Sequence, residues 1–137
     1  MTPAIANPQK DPEFVTSLYK DAEYFVQRYH QRESLVRDQA GWNQSVTLIA
    51  TDQEEGVLIS ILGGCVVEIR QLSAAMIASP TAGVVVLGVR ALLSEILRLQ
   101  RQPSESYLFG ELIIQGREPD FLRLDYIVST LGNSGQT

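Results

Sequence analysis

His30 and Cys65 are the only histidine and the only cysteine among the 137 residues, and they bound the chemistry open to the chain. A thiol nucleophile needs an imidazole beside it. Cys65 begins the apolar run CVV, which predicts a small buried hydrophobe, whereas His30 lies in the charged stretch QRYHQRE. One residue of each kind cannot complete the usual nitrogen and sulfur ligand sets of zinc, and a lone cysteine excludes an intrachain disulfide. A serine nucleophile would have to recruit His30, yet no serine is framed as GxSxG. GVVVLG (83–88) spaces its glycines like part of a phosphate loop but lacks the Lys-Ser/Thr pair, so it reads as a strand. Glu54-Glu55 fall in a polar turn, where carboxylates are solvated and not poised as acid and base. The expectation is a chain that is not an enzyme, with no metal and no cofactor.

The whole-chain numbers narrow the partners. A formal charge of −5 and a pI near 4.8 argue against a nucleic-acid surface, which is normally basic. Arg90, Arg98 and Arg101 recur on one helical face and read as a solvated stripe. No basic start with an apolar stretch resembles a signal peptide, and no apolar window approaches the ~18 residues of a membrane span. A soluble cytoplasmic protein is expected. The length suits one domain, spanning 12–131 between flexible ends at 1–11 and 132–137.

The elements follow from periodicity and punctuation. Asp11-Pro12-Glu13 is a helix start, and Leu18, Ala22, Phe25 and Tyr29 continue one apolar face from Phe14, predicting a helix over 12–37. Lys20, Asp21, Glu23, Gln27 and Arg28 take its polar side. Gly41-Trp42-Asn43 ends this unit, and strands are predicted at 45–51, 57–62 and 65–72, the last two joined by a Gly63-Gly64 hairpin turn. On the third strand, Cys65, Val67 and Ile69 share a side, opposite Glu68 and Arg70. SAAMIASPT (73–81) is ambiguous. A strand at 82–88 leads into a Leu-rich helix at 89–102, which Pro103 stops.

Alternation along 107–115 predicts another strand, with Gly110 and Gly116 in or beside it, and Glu118-Pro119-Asp120 starts a last helix. That helix carries a core stripe of Phe121, Leu124, Ile127, Val128 and Leu131. Leu122 and Tyr126 lie outside the stripe and form a second apolar strip, which needs something else to touch. The order α-β-β-β-β-α-β-α describes an α+β fold, with one mainly antiparallel or mixed five-stranded sheet and helices on one face.

Taken in order, VTLIATDQEEGVLISILGGCVVEIR, AGVVVLGVRALLSEIL and RLQRQPSESYLFGELIIQGREPDFLRL resemble the sterol carrier protein type 2 domain family over about 45–131. The places typical of that family are a helix ending near a proline, an aromatic-Gly-x-Leu-x-Ile-x-Gly strand and an amphipathic last helix. Here they are held by Pro103, Phe109-Gly110, Leu112, Ile114, Gly116 and the helix from Pro119. Ala82-Gly83 stands where family members commonly have an acidic residue. The resemblance implies an apolar tunnel between sheet and helices that carries a fatty acyl, isoprenoid or sterol-like molecule, with transient membrane contact. Leu93, Ile96, Leu97, Phe109, Phe121, Leu122 and Tyr126 are its candidate lining. As the alternative, it implies an accessory role beside enzymes of lipid-quinone biosynthesis or alkyl sulfate hydrolysis. Leu122 and Tyr126 would then meet an enzyme partner, or a twin in a homodimer.

Overall fold

A computed structural model describes residues 17–80 and 83–135 of the chain. The predicted helix start at Asp11-Pro12-Glu13 and the expected flexible segment 1–11 lie outside the described residues. Helix α1 (Ser17–Gln31) buries Leu18, Ala22, Phe25, Val26 and Tyr29, the stripe read from the sequence. The predicted single helix is broken at Arg32, and a short α2 (Glu33–Asp38) follows. On an unbroken helix Leu35 would stand about 240° around from Tyr29, off the buried stripe. The break re-phases the chain, and Leu35 becomes only 3% exposed.

Strands β1 (Gln44–Ala50), β2 (Gly56–Leu62) and β3 (Cys65–Gln71) form an antiparallel meander. Gly63 and Gly64 have φ of 60° and 81°, the paired positive values a two-residue primed turn requires. At Gly64 a second constraint applies, because an added Cβ would lie 2.5 Å from the Gln39 carbonyl oxygen. β3 departs from simple alternation. Ser60 pairs with Glu68 but Ile61 pairs with Val66, so Val67 is the extra residue of a β-bulge. The bulge turns Val66 and Ile69 toward the core and leaves Val67 outward. Cys65 is therefore exposed, not the buried hydrophobe its apolar neighbours suggested.

The ambiguous 73–81 segment contains α3 (Ala74–Ala78), started by Ser73, whose side chain accepts the Met76 N–H at 3.4 Å. Met76 and Pro80 share a pocket with Thr47 and Leu58, which places α3 on the sheet face opposite the main core. β4 (Val84–Gly88) returns parallel to β1, and β5 (Ile113–Gln115) pairs antiparallel with β4. The five-stranded sheet is thus mixed, in the order β3-β2-β1-β4-β5. One apolar core joins α1, α4 (Arg90–Leu97) and α6 (Glu118–Gly135) to its other face. α6 runs to Gly135, past the domain boundary expected at 131.

The largest departure from the sequence reading lies between α4 and α6. The Leu-rich helix stops at Leu97, not at 102, and Pro103 starts a helix instead of ending one. That helix, α5 (Pro103–Leu108), occupies the first part of the stretch read as a strand over 107–115. Proline suits a first helical position because its missing N–H has no intrahelical partner there. Asp125 of α6 accepts the Ser104 N–H at 2.8 Å, capping the new helix from outside. At the far end Glu111 N–H donates to the Ser106 carbonyl and Gly110 N–H to that of Tyr107, a Schellman motif with Gly110 at φ 78°.

The two turn glycines should respond differently to alanine. Gly110→Ala meets nothing within 4 Å, so only the left-handed strain of about 1–2 kcal/mol applies. Gly64→Ala adds a backbone clash to the same strain and should cost more, about 2–4 kcal/mol. Urea denaturation of the two variants checks the order.

Candidate functional site

The interior between the sheet and the three long helices holds a small space lined wholly by apolar residues and aromatic faces. Phe25 and Tyr29 of α1 and Trp42 before β1 form one wall. Val46, Leu48, Ile59, Ile61 and Val66 form the floor, and Ile96 and Leu97 of α4 with Leu124, Ile127 and Val128 of α6 form the roof. Its volume is about 20 Å³, room for little more than one water-sized sphere. A pocket for a drug-sized ligand takes hundreds of Å³. In this conformation the interior is filled by the chain's own side chains.

Polar ties hold the helices down around this space. Asp120, in the first turn of α6, accepts from Trp42 Nε1 through one carboxylate oxygen and from Gln44 Nε2 through the other, both at 3.0 Å. One turn along, Arg123 donates to Gln39 Oε1 at 2.6 Å and places its guanidinium 5.5 Å from the Trp42 ring centroid. Together these fasten α6 to the segment entering β1. A second tie joins α1 to α4. Asp21 is 6% exposed and accepts from Ser94 Oγ at 2.5 Å and from Arg98 Nε at 2.7 Å. Arg98 also lies over the Tyr24 ring, 4.7 Å from its centroid. Periodicity had placed both Asp21 and Arg98 on solvated faces; the packing of two helices covers the aspartate and turns the pair into a brace.

The third tie is Tyr29, whose hydroxyl donates to the Gly64 carbonyl at 2.5 Å. Burial pushes its phenol up to about 12; the Cys65 thiolate adds to the rise and the Arg123 charge opposes it. The lone histidine and cysteine come to neighbouring positions here. His30 Nε2 accepts the Val66 N–H at 3.0 Å, so that lone pair is engaged by the backbone next to Cys65. Among the described residues no group of three His, Cys, Asp or Glu side chains converges as metal ligands would. Nor is any described helix long and apolar enough to cross a membrane.

The residues named from the sequence divide clearly. Ile96 and Leu97 line the interior space, and Leu93 is fully buried beside it in the core. Phe121 is buried, its ring 5.4 Å from that of Tyr107. Leu122, Tyr126 and Phe109 stand on the outside, Phe109 being 80% exposed. Trp42 was read only as part of a helix-ending tripeptide, and Leu124, Ile127 and Val128 only as core. The signal available for Trp42 was its singularity: it is the one tryptophan in the chain.

No protein-family model matches the chain, and no curated protein matches its sequence. Solved structures do match. A crystal structure of sterol carrier protein 2 is similar with a TM-score of 0.62 at 14% identity, over 83% of this chain and 92% of that one. The chain has the sterol carrier protein 2 fold. Sterol carrier protein 2 from Yarrowia lipolytica, in its apo form, matches over 93% of this chain and 98% of its own, with 13% identity and a TM-score of 0.54. A UbiJ-SCP2 ubiquinone synthesis protein matches over 77% and 82%, with 12% identity and a TM-score of 0.57. The likeness is one of backbone, and the sterol carrier protein 2 fold accounts for the mixed sheet and the helices that close over it.

Tyr29 supplies a pH test of the closed interior. The unfolded phenol loses its proton near pH ~10, whereas the folded one keeps it until about 12. The contribution of Tyr29 to stability is therefore constant below the lower value and is lost as pH rises from there through the upper one. Tyr29→Phe should flatten that fall, at a cost near neutrality of about 1 kcal/mol for the Gly64 carbonyl left without its donor. Urea midpoints measured across the alkaline range decide it.

Proposed function

We propose that the chain binds a lipophilic molecule (fatty acyl, isoprenoid or sterol-like) between its sheet and α1, α4 and α6, and carries it without chemical change. The observation that carries this reading is the interior space itself. Its lining is apolar throughout, its polar groups are confined to ties at the rim, and it lies in a sterol carrier protein 2 fold. A small number of orienting polar groups around an apolar lining is the usual pattern of a ligand site. Ligand entry lifts the roof formed by α4 and α6 from the floor formed by β1 and β2. Binding without catalysis is supported by the single histidine, which spends its acceptor nitrogen on β3.

A second reading rests on a different surface. Leu108 and Phe109 are each 80% exposed at the end of α5, beside Tyr107, and Leu122 and Tyr126 are about half exposed on α6. Large apolar side chains left in water on neighbouring helices can mark an interaction surface. Together with the likeness to a ubiquinone synthesis protein, it supports an accessory role beside an enzyme of hydrophobic substrates. Leu108→Ser with Phe109→Ser would then abolish capture of that enzyme while leaving ligand binding intact.

Trp42 makes the first reading directly measurable, because the sole tryptophan lines the space. Titration with a fatty acid, an isoprenoid alcohol and a sterol should change its emission saturably for at least one of them. No saturable change with any of the three at micromolar concentration would sink the proposal. Leu97→Ala should enlarge the space, destabilise the fold by about 2–5 kcal/mol and tighten binding of a short-chain ligand a few-fold. Calorimetry beside the same titration reads both effects.

A further inference from the structure

The hydrogen-bond phase of the sheet identifies what its β3 edge presents. Leu72 N–H donates to the Gly56 carbonyl at 2.9 Å, and Ala50 N–H donates to the Glu55 carbonyl at 3.0 Å. In an antiparallel ladder, facing residues alternate between pairs that exchange both bonds and pairs that exchange none. Counting along the registers, Gly56, Leu58 and Ser60 bond toward β3, while Val57 and Ile59 bond toward β1. Ile69, which faces Ile59, therefore directs its N–H and C=O away from the sheet. The Val66 N–H checks this phase independently. It too must point outward beyond the bulge, and there His30 Nε2 accepts it. For Ile69 no such cover occurs among the described residues.

The side chains that flank this position are charged and opposite. Glu68 and Arg70 stand on the solvent face, each about half exposed, with Arg70 Nη2 2.9 Å from Glu68 Oε2 of the same strand. We propose that a second copy of this chain pairs along this edge, antiparallel, about a two-fold axis at Ile69. In that register Ile69 exchanges two hydrogen bonds with Ile69 of the second copy. Glu68 then faces Arg70 of the second copy, and Arg70 faces its Glu68. These are the non-hydrogen-bonded positions, where opposed Cα atoms approach to ~4.5 Å and side chains lie closest.

The charges choose both the occupant and the register. An axis at Glu68 would set carboxylate against carboxylate, and one at Arg70 would set guanidinium against guanidinium. Only the Ile69 axis satisfies both pairs, and it needs the same sequence on the other side. Bulges and charges commonly blunt an exposed edge. Here the bulge lies at Val67, outside the Glu68–Arg70 span, and the charges are self-complementary. The side-chain ties of α1 to this part of the sheet fall at Gly64 and Val66, at the other end of the strand. Pairing would continue the sheet from one copy into the next, with α1, α4 and α6 of both copies on one side. This surface is separate from the interior space, and the proposal stands whether or not a ligand binds there.

Sedimentation of the full chain over a wide concentration range tests it. The wild type should show a reversible monomer–dimer equilibrium. Glu68→Arg alone and Arg70→Glu alone should each weaken association about tenfold or more, because each makes the edge single-signed. The double variant should associate as the wild type does, and an equal mixture of the two single variants should form heterodimers. Both positions are exposed, and circular dichroism confirms that the variants fold. A wild type that is monomeric throughout overturns the proposal. So does a dimer indifferent to both single changes, or a double variant as weak as the singles.

Discussion

Asp120 uses both carboxylate oxygens to hold Trp42 and Gln44, and the closed interior depends on that grip. It joins the first turn of the last helix to the residues entering the first strand. Without it, α6 would press its apolar stripe onto the sheet with fewer directional contacts to set its position along the strands. Hydrophobic burial is non-directional, whereas a two-oxygen acceptor facing two donors admits one placement. The Arg123–Gln39 bond one turn later repeats the constraint, and the Arg123 guanidinium covers the indole that Asp120 orients. Asp21 does the same service between α1 and α4. The core supplies the energy of closure and these ties supply its geometry.

Much of the sheet was legible because its signals are local. Gly63-Gly64 announced a primed turn, Val84–Gly88 a buried strand, and the Leu18–Tyr29 stripe a helix face, and each has a cause within a few residues. The failures share the opposite property. Pro103 looked like a helix stop because helices end before prolines; what makes it a start is Asp125, more than twenty positions away, accepting the Ser104 N–H. The pairing of Pro103 with Gly110 at the two ends of one short helix was the available cue. The bulge at Val67 left no mark in CVVEIRQL, since register is set by the partner strand. Asp21 and Arg98 looked solvated because periodicity shows which face of a helix is polar, not whether a second helix covers it.

The candidate site was legible in the same partial way. Ile96 and Leu97 were recognisable because a Leu-rich helix must turn its apolar face inward. Phe109, Leu122 and Tyr126 were grouped with them on the premise that large apolar residues near the closing unit face the interior. The helix α5 breaks that premise. By coiling residues that alternation would have laid into the sheet, it leaves Leu108 and Phe109 projecting into water. The apolar surface that seemed continuous with the core is a second feature on the outside of the molecule.

Magnitudes decide whether an interior of about 20 Å³ is compatible with carrying a lipid. On the proposed reading, opening it would lift α4 and α6 and strain or break the ties of Asp120, Arg123 and Asp21. Hydrogen bonds to charged groups contribute about 1.5–3 kcal/mol each, so losing the five bonds of these ties would cost on the order of 10 kcal/mol. A buried methylene returns about 0.8 kcal/mol before ordering costs. A chain of ten carbons would return about 8 kcal/mol, comparable with that cost, while a chain of four or five would return about half as much. If the chain carries a lipid as proposed, a closed interior held by a few polar ties would favour long apolar chains over short ones. Under that proposal a long chain would repay more of the cost of displacing the side chains that fill the interior than a short one would.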